Sequence, residues 1–377
     1  NARDKKATGN FYGVDQPIMK QTNESEGIMK SQSITDYGQP LKAVESETPT
    51  PSGREVLVEI THCGVCHSDV HFHDGHFDMG GGQKLDVRSA RQTPFTLGHE
   101  IEGTVCAVGP EVKNIKIGDR AVVYPWIGCG NCSSCDRDEE HYCNGRALGV
   151  NLPGGFSSHC LVPDERYCLD AEGIEPGLAS TYMCSGITAY SALKHLKAVA
   201  ADDQILIVGL GGVGMMALQF ALQMFDKPPL VADLDENKLQ AAMGAGAAIA
   251  YNPRDEKAAK QVLADTNGGV PAAVDFVGAE GSLKFASGAL RRGGEVKIVG
   301  LFGGAFSMPI PFFPFRAISI GGSMTGSLAD TKEMLEIVKA GNINPIPIEF
   351  RDMSAASHTL DDLREGRIIG RVVLTND

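Results

Sequence analysis

Cys129, Cys132, Cys135 and Cys143 stand in C-x2-C-x2-C-x7-C spacing, in a stretch rich in Gly, Asn, Ser and Asp. Two-residue gaps let one turn aim successive sulfurs at a single ion, and four thiolates suit tetrahedral zinc. A disulfide knot and an iron–sulfur cluster are the rivals. The bacterial cluster run closes C-x3-C-P, whereas here seven residues intervene and Asn144 follows the last cysteine. A closed four-thiolate cage leaves no room for substrate, so it announces a zinc protein without saying what that protein does.

Two further stretches hold metal-ligand chemistry: Cys66-His67-Ser68-Asp69-Val70-His71 and Gly98-His99-Glu100. A catalytic zinc needs three protein ligands and one open position, and two cysteines with one histidine is one known solution. Cys63 competes with Cys66 for such a role. The other histidines (His62, His73, His76, His141, His159, His195, His358) read as core or surface residues, and Cys106, Cys160 and Cys168 as small apolar groups.

Gly209-Leu210-Gly211-Gly212-Val213-Gly214 fits G-x-G-x-x-G. Alone the pattern is weak, and its bland reading is a βαβ turn whose glycines serve packing only. Here a strand-like ILIV precedes it, a helical run follows, and Asp233 ends the next apolar segment. Gly209 suits a tight turn, Gly211 lets backbone approach a pyrophosphate, and Gly214 lets helix and strand pack closely. Asp233 would accept from the adenosine ribose hydroxyls and repel a 2′-phosphate, which favours NAD over NADP.

These groups must be carried by two kinds of architecture. From Glu55 to about Tyr167 the pattern is of short strands: 55–60, 103–108, 120–124 and 158–162. Within it His71 to Thr96 reads as one long polar loop. After Cys184 strands and helices alternate: strands at 205–208, 230–232, 272–277 and 295–299, helices at 213–224, 236–245 and 282–290. Such alternation builds a parallel sheet. A helix at 331–340 and a terminal strand at 367–374 follow. Residues 1–28 are polar and aperiodic, and Met29 reads as a natural start, so the leader is expected to be an extension.

The chain has 377 residues, room for about two domains. Its net charge of −13 argues against nucleic acid as a partner. Ile205 to Phe225 carries no charge and is long enough to cross a bilayer, but its clustered glycines fit a buried strand, turn and helix better. Ten cysteines beside two apparent metal sites suggest reduced thiols and a cytoplasmic setting.

From about Met29 onward the chain resembles the zinc-dependent alcohol dehydrogenases of the medium-chain dehydrogenase/reductase superfamily. The motifs are CGVCHSDVH, GHEIEGTV, CGNCSSC…C, VGLGGVG and the closing IIGRVVL. The resemblance implies an α/β plus β fold: a GroES-like β-rich catalytic domain (29–184), an inserted Rossmann NAD-binding domain with a doubly wound parallel sheet (185–323), and a return to the catalytic domain (324–377). It implies Cys66, His99 and Cys184 as ligands of a catalytic zinc, beside the structural zinc, hence two Zn2+ per subunit. It makes Glu100 an acidic neighbour of the metal and Asp69 the carboxylate orienting His99. Ser68 then bonds the substrate oxygen, and protons leave through the nicotinamide ribose and His71. His67 and Arg371 are implied at the pyrophosphate, Thr188 and Val213 beside the nicotinamide. For the last two, core packing is the bland alternative.

Two departures stand out. The segment from His73 to Pro94 is longer than the family's usual connection: a cap on the substrate pocket, a subunit contact and a passive loop remain open. Trp126 lies closer to the first cage cysteine than the family's pocket tryptophan, although the resemblance places it in the substrate pocket. The implied activity is NAD-linked interconversion of primary or secondary alcohols with aldehydes or ketones, with the substrate oxygen on zinc. A polyol, aryl alcohol or formaldehyde adduct is an alternative substrate. A binding-only relative is a remote alternative, since it would have lost ligands or relay residues. The short connection between Cys143 and Cys184 resembles the homotetrameric branch.

Overall fold

The computed structural model describes residues 27–143, 146–200 and 202–376. The expected leader extension falls outside them, apart from Gly27 and Ile28, and Ile28 opens the first strand, Ile28–Ile34.

One sheet has six parallel strands in the spatial order Ile249–Tyr251, Leu230–Ala232, Leu206–Val208, Val270–Asp275, Leu290–Ile298, Ser319–Gly322. Numbered along the chain this is 3-2-1-4-5-6, the order of a Rossmann sheet. Leu206–Val208 and Val270–Asp275 are buried at every position, as strands covered by helices on both faces must be. The uncharged run from 205 to 225 is a strand and a helix, Gly212–Met224, not a span. No helix among the described residues is long and apolar enough to cross a membrane.

A second sheet of seven strands is mostly antiparallel. Its path runs Cys168–Asp170, Arg120–Val123, Glu100–Val108, Val56–Gly64, Arg371–Thr375, Ile348–Asp352, with His159–Val162 pairing beside Val56–Gly64. Its last two strands come from the C-terminal end of the chain, so residues far apart in sequence share one sheet. A three-stranded sheet of Lys42–Glu47, Ile28–Ile34 and Phe95–Thr96 packs alongside. These are the GroES-like and Rossmann parts the resemblance implied.

The stretch from His71 to Thr96 is not a long loop. It contains the end of a helix, His67–Asp74, then a hairpin of His76–Gly80 and Gln83–Asp86, then a short 3-10 turn. Cys66 and Asp69 form a capping box that starts the helix inside otherwise β-rich sequence. Gly81 and Gly82 both have positive φ in the two-residue turn, which glycine alone adopts freely. The terminal strand begins at Arg371, later than expected, because the preceding residues turn back to the helix Ala356–Arg364, where Arg367 pairs with Asp362. The helical run from Leu178 to Ala200 passes position 184 without a break, by way of a π-helical turn, Tyr182–Gly186.

Candidate active site and zinc centres

Cys66, His99 and Cys184 converge from three elements. Cys66 caps the helix His67–Asp74, His99 precedes the strand Glu100–Val108, and Cys184 lies in the π-helical turn. All three are buried, and one ligand atom from each lies within 4.8 Å of the others. The Cys66 and Cys184 sulfurs are 3.9 Å apart. A tetrahedral zinc with Zn–S bonds of about 2.3 Å needs sulfurs about 3.8 Å apart.

His99 Nδ1 is 3.2 Å from Asp69 Oδ1, while His99 Nε2 is buried with no hydrogen-bond partner. A buried nitrogen left unpaired is costly unless something absent from the protein binds it. Asp69 therefore fixes the ring so that Nε2 faces the sulfurs, the usual arrangement behind a metal-ligating histidine. Burial disfavours charge on His99, but Asp69 and Cys66 outweigh it and hold its pKa well above the ordinary histidine value. The Cys66–Cys184 hydrogen bond pulls Cys66 well below the usual thiol value and pushes Cys184 well above it, so the pair gives up its first proton readily. The donor set fits zinc.

Cys63 is not a competing ligand. Its sulfur faces Gly98 and Gly155, lying within 3 Å of a Cβ built on either. Burial pushes its thiol well above the usual range.

Glu100 and Asp69 are both fully buried. Ser185, a residue without a sequence signal, donates to Glu100 Oε1 from its backbone N–H at 3.2 Å and its hydroxyl at 2.7 Å. Arg371 Nη2 donates to Glu100 Oε2 in a short ion pair. Burial pushes the Glu100 carboxyl above its ordinary value, with Arg371 acting against it. Trp126 is half-buried, its ring 5.8 Å from that of His99 and its Nε1 buried without a partner. The Thr188 hydroxyl is also buried and unpaired, as is that of Thr325, whose φ of 45° is unusual for a β-branched residue.

Ser68 is half-buried with Oγ 3.8 Å from the Cys66 sulfur. The His67 and His71 rings lie 5.4 Å apart; His67 is exposed and His71 half-buried. Burial first, and the neighbouring His67 second, hold the His71 pKa below the ordinary histidine value.

The glycine-rich turn joins the strand Leu206–Val208 to the helix Gly212–Met224, at the point where the sheet order reverses. Gly209 has φ of 89°. A Cβ on Gly214 would meet Gly209 O at 1.8 Å, so only glycine permits this helix–strand contact. A Cβ on Gly211 would meet nothing within 4 Å, leaving open space where a pyrophosphate would lie. Gly212 packs on Arg371, whose Cδ is 2.4 Å from a built Cβ, and Val213 is half-buried beside it. Asp233 Oδ2 accepts from Leu210 N–H at 2.7 Å and Oδ1 from Asp235 N–H at 2.9 Å. The acid thus braces the turn.

The other cluster brings the sulfurs of Cys129, Cys132, Cys135 and Cys143 within 4.8 Å of one another. The Cys132–Cys135 and Cys129–Cys135 separations are 3.6 and 4.0 Å, again near a tetrahedral edge and far beyond a disulfide. Backbone N–H groups of Cys129 and Gly130 point at Cys143 and Cys135 sulfur, each at 3.4 Å. The Cys135 backbone N–H is the largest cause holding the Cys132 thiol down to about 7. This site also fits zinc.

Residues 52–172 match the family described as "Alcohol dehydrogenase GroES-like domain" and 212–340 that described as "Zinc-binding dehydrogenase". The chain is 32% identical over 348 residues to an NAD-dependent alcohol dehydrogenase of Sulfurisphaera tokodaii, covering 92% of this chain and 99% of that one. The alcohol dehydrogenase structure from Aeropyrum pernix superimposes with a TM-score of 0.83 at 27% identity, covering 92% of this chain and all of that one. The acetophenone reductase of Geotrichum candidum, solved with NAD, gives 0.79 at 26% identity, covering 93% and 97%. The chain belongs to the zinc-dependent alcohol dehydrogenases of the medium-chain dehydrogenase/reductase superfamily. It is accordingly an oxidoreductase.

Proposed function

We propose that this chain interconverts a primary or secondary alcohol with its aldehyde or ketone, using NAD, with Cys66, His99 and Cys184 holding the catalytic zinc. The single observation that carries this reading is the unpaired, buried His99 Nε2 facing two sulfurs at tetrahedral spacing. Bound there, zinc would supply Lewis-acid polarisation for an alcohol oxygen, and NAD would supply the hydride acceptor.

The chain's own residues handle the proton and the orientation. Ser68 Oγ, beside the Cys66 sulfur, accepts the substrate hydroxyl proton. His71, whose pKa burial and then His67 hold below the ordinary histidine value, is the outer group that passes it to water. Asp69 locks the His99 ring, and Ser185 and Arg371 hold Glu100 behind the metal ligands. Thr188 and Val213 would orient the nicotinamide, with His67 and Arg371 toward the pyrophosphate and Trp126 toward the substrate. The cysteine quartet holds the second, structural zinc. A homotetramer is the assembly proposed from the family branch.

A secondary aryl alcohol is a specific second reading, because one relative of known structure is an acetophenone reductase. NADH formation at alkaline pH should be measured across short aliphatic, secondary, benzylic and polyol substrates. Turnover should appear with at least one class, and Ser68→Ala should lower it about 100-fold or more with NAD binding kept. No turnover with any class would sink the activity, and unchanged turnover in Ser68→Ala would remove Ser68 from the relay.

A further inference from the structure

The hairpin His76–Gly80/Gln83–Asp86 is carried by the GroES-like part, yet its tip touches the Rossmann part. A Cβ built on Gly80 would lie 2.6 Å from Gly304 C and Ala305 N, and one on Gly303 would lie 3.0 Å from Asp78 Cβ and O. The two backbones therefore meet directly, a contact that glycine alone allows. The loop they meet is well held: Phe302 and Gly303 N–H donate to Val277 and Gly278 carbonyls at 3.1 Å each. It follows the strand Leu290–Ile298 at its C-terminal end. Ligands bind along that edge in open α/β sheets.

The hairpin is also anchored at its base and middle. Val87 N–H donates to Gly75 O at 3.0 Å, and the Arg91 guanidinium donates to Val87 O at 2.6 Å while lying over Phe72. On the first strand Phe77 packs against His71, ring centroids 4.7 Å apart. Met79 is the extra residue of a bulge opposite Gln83–Lys84, and a bulge bends its strand and increases the local twist. Met79 and Leu85 are each half exposed at 52%, with Leu301 and Phe302 exposed on the facing loop.

We propose that this hairpin is a strap joining the two parts across the cofactor crevice, docked through Gly80 onto the 303–305 loop, and that it must lift for the dinucleotide to exchange. Gly80 is then a binding-determining position remote from the zinc. The strap rests on reading the crevice as an NAD site. It also gives the long 73–94 segment a task at the crevice mouth.

Gly80 and Gly82 provide a matched test. Both have φ of 79°, so a side chain strains the backbone equally, but only Gly80 has neighbours within 4 Å. NADH dissociation should be followed by stopped-flow fluorescence in the zinc-loaded wild-type protein, Gly80→Ala and Gly82→Ala. Lost docking contacts act mainly on the off-rate, so Gly80→Ala should release NADH about tenfold faster, with Gly82→Ala within about twofold of wild type. Zinc content and melting temperature of the two variants should match. Wild-type release from Gly80→Ala, or equal acceleration in both variants, would overturn the strap while leaving the NAD reading intact. Failure of the wild-type protein to bind NADH would overturn both.

Discussion

Arg371 reaches from the last strand into the heart of the site, where it donates to Glu100 and at the same time packs on Gly212 of the dinucleotide turn. One side chain thus ties the carboxylate next to His99 to the first turn of the Rossmann helix. Both partners of the ion pair are buried, at 5% and 0% exposure, so neither charge can fall back on water.

Removing one partner should therefore cost more than losing a contact. Arg371→Met would leave the Glu100 carboxylate buried and uncompensated, at a cost of about 3–5 kcal/mol. Denaturant unfolding of the zinc-loaded protein reads this directly. Adding Glu100→Gln should recover part of the loss, because coupled partners are not additive. A double variant as unstable as the sum of the two singles would show that the pair does not act as a unit.

The two cysteine clusters should separate cleanly by what they lose. Wild-type protein is expected to carry about two zincs per chain. Cys129→Ser should lose one and become thermally fragile, while freshly prepared protein keeps most of its turnover. Cys184→Ser should lose the other along with turnover and keep its circular dichroism. Asp69→Ala should keep the fold but weaken the catalytic zinc by about 10–100-fold. Metal analysis combined with melting curves decides each case, and turnover abolished in fully folded Cys129→Ser that retains its other zinc would break the division of labour.

His71 sets a pH dependence with a definite sign. Its pKa lies below the usual value of about 6.5, so lowering the pH through that value should leave alcohol oxidation largely intact. The rate should fall only at lower pH, as the imidazole gains a proton and can no longer accept one. His67 is a repulsive neighbour 5.4 Å away. His67→Ala should therefore ease protonation of His71 and move the acid limb of kcat, at saturating NAD, to higher pH. A limb that stays put or moves to lower pH would remove His71 from the proton path.

Much of this protein was legible in its sequence because the relevant physics is local. The strand–turn–helix around Gly209–Gly214 follows from short-range periodicity and from turns that demand glycine. The quartet's spacing is a property of one loop. The class of chemistry followed from motifs that match a family.

Other features required the tertiary structure. Cys66 and Cys63 are indistinguishable by spacing, and their roles part only because the chain turns the Cys63 sulfur into packing against Gly98 and Gly155. Cys184 lies 118 positions from Cys66, and a π-helical turn brings their sulfurs to 3.9 Å. Ser185 and the unpaired Thr325 hydroxyl carry no pattern in the sequence at all. The hairpin at 76–86 was readable in principle, since Gly81-Gly82 between HFDMG and QKLD is a two-residue turn signal. Its docking on Gly303–Ala305 was not, because a contact between segments more than 200 residues apart has no local signature. The sequence determined which chemical groups were available and the turns that carry them. Long-range packing decided which groups meet, because a metal or dinucleotide site depends on relative position to within an ångström, and only the folded sheets set that.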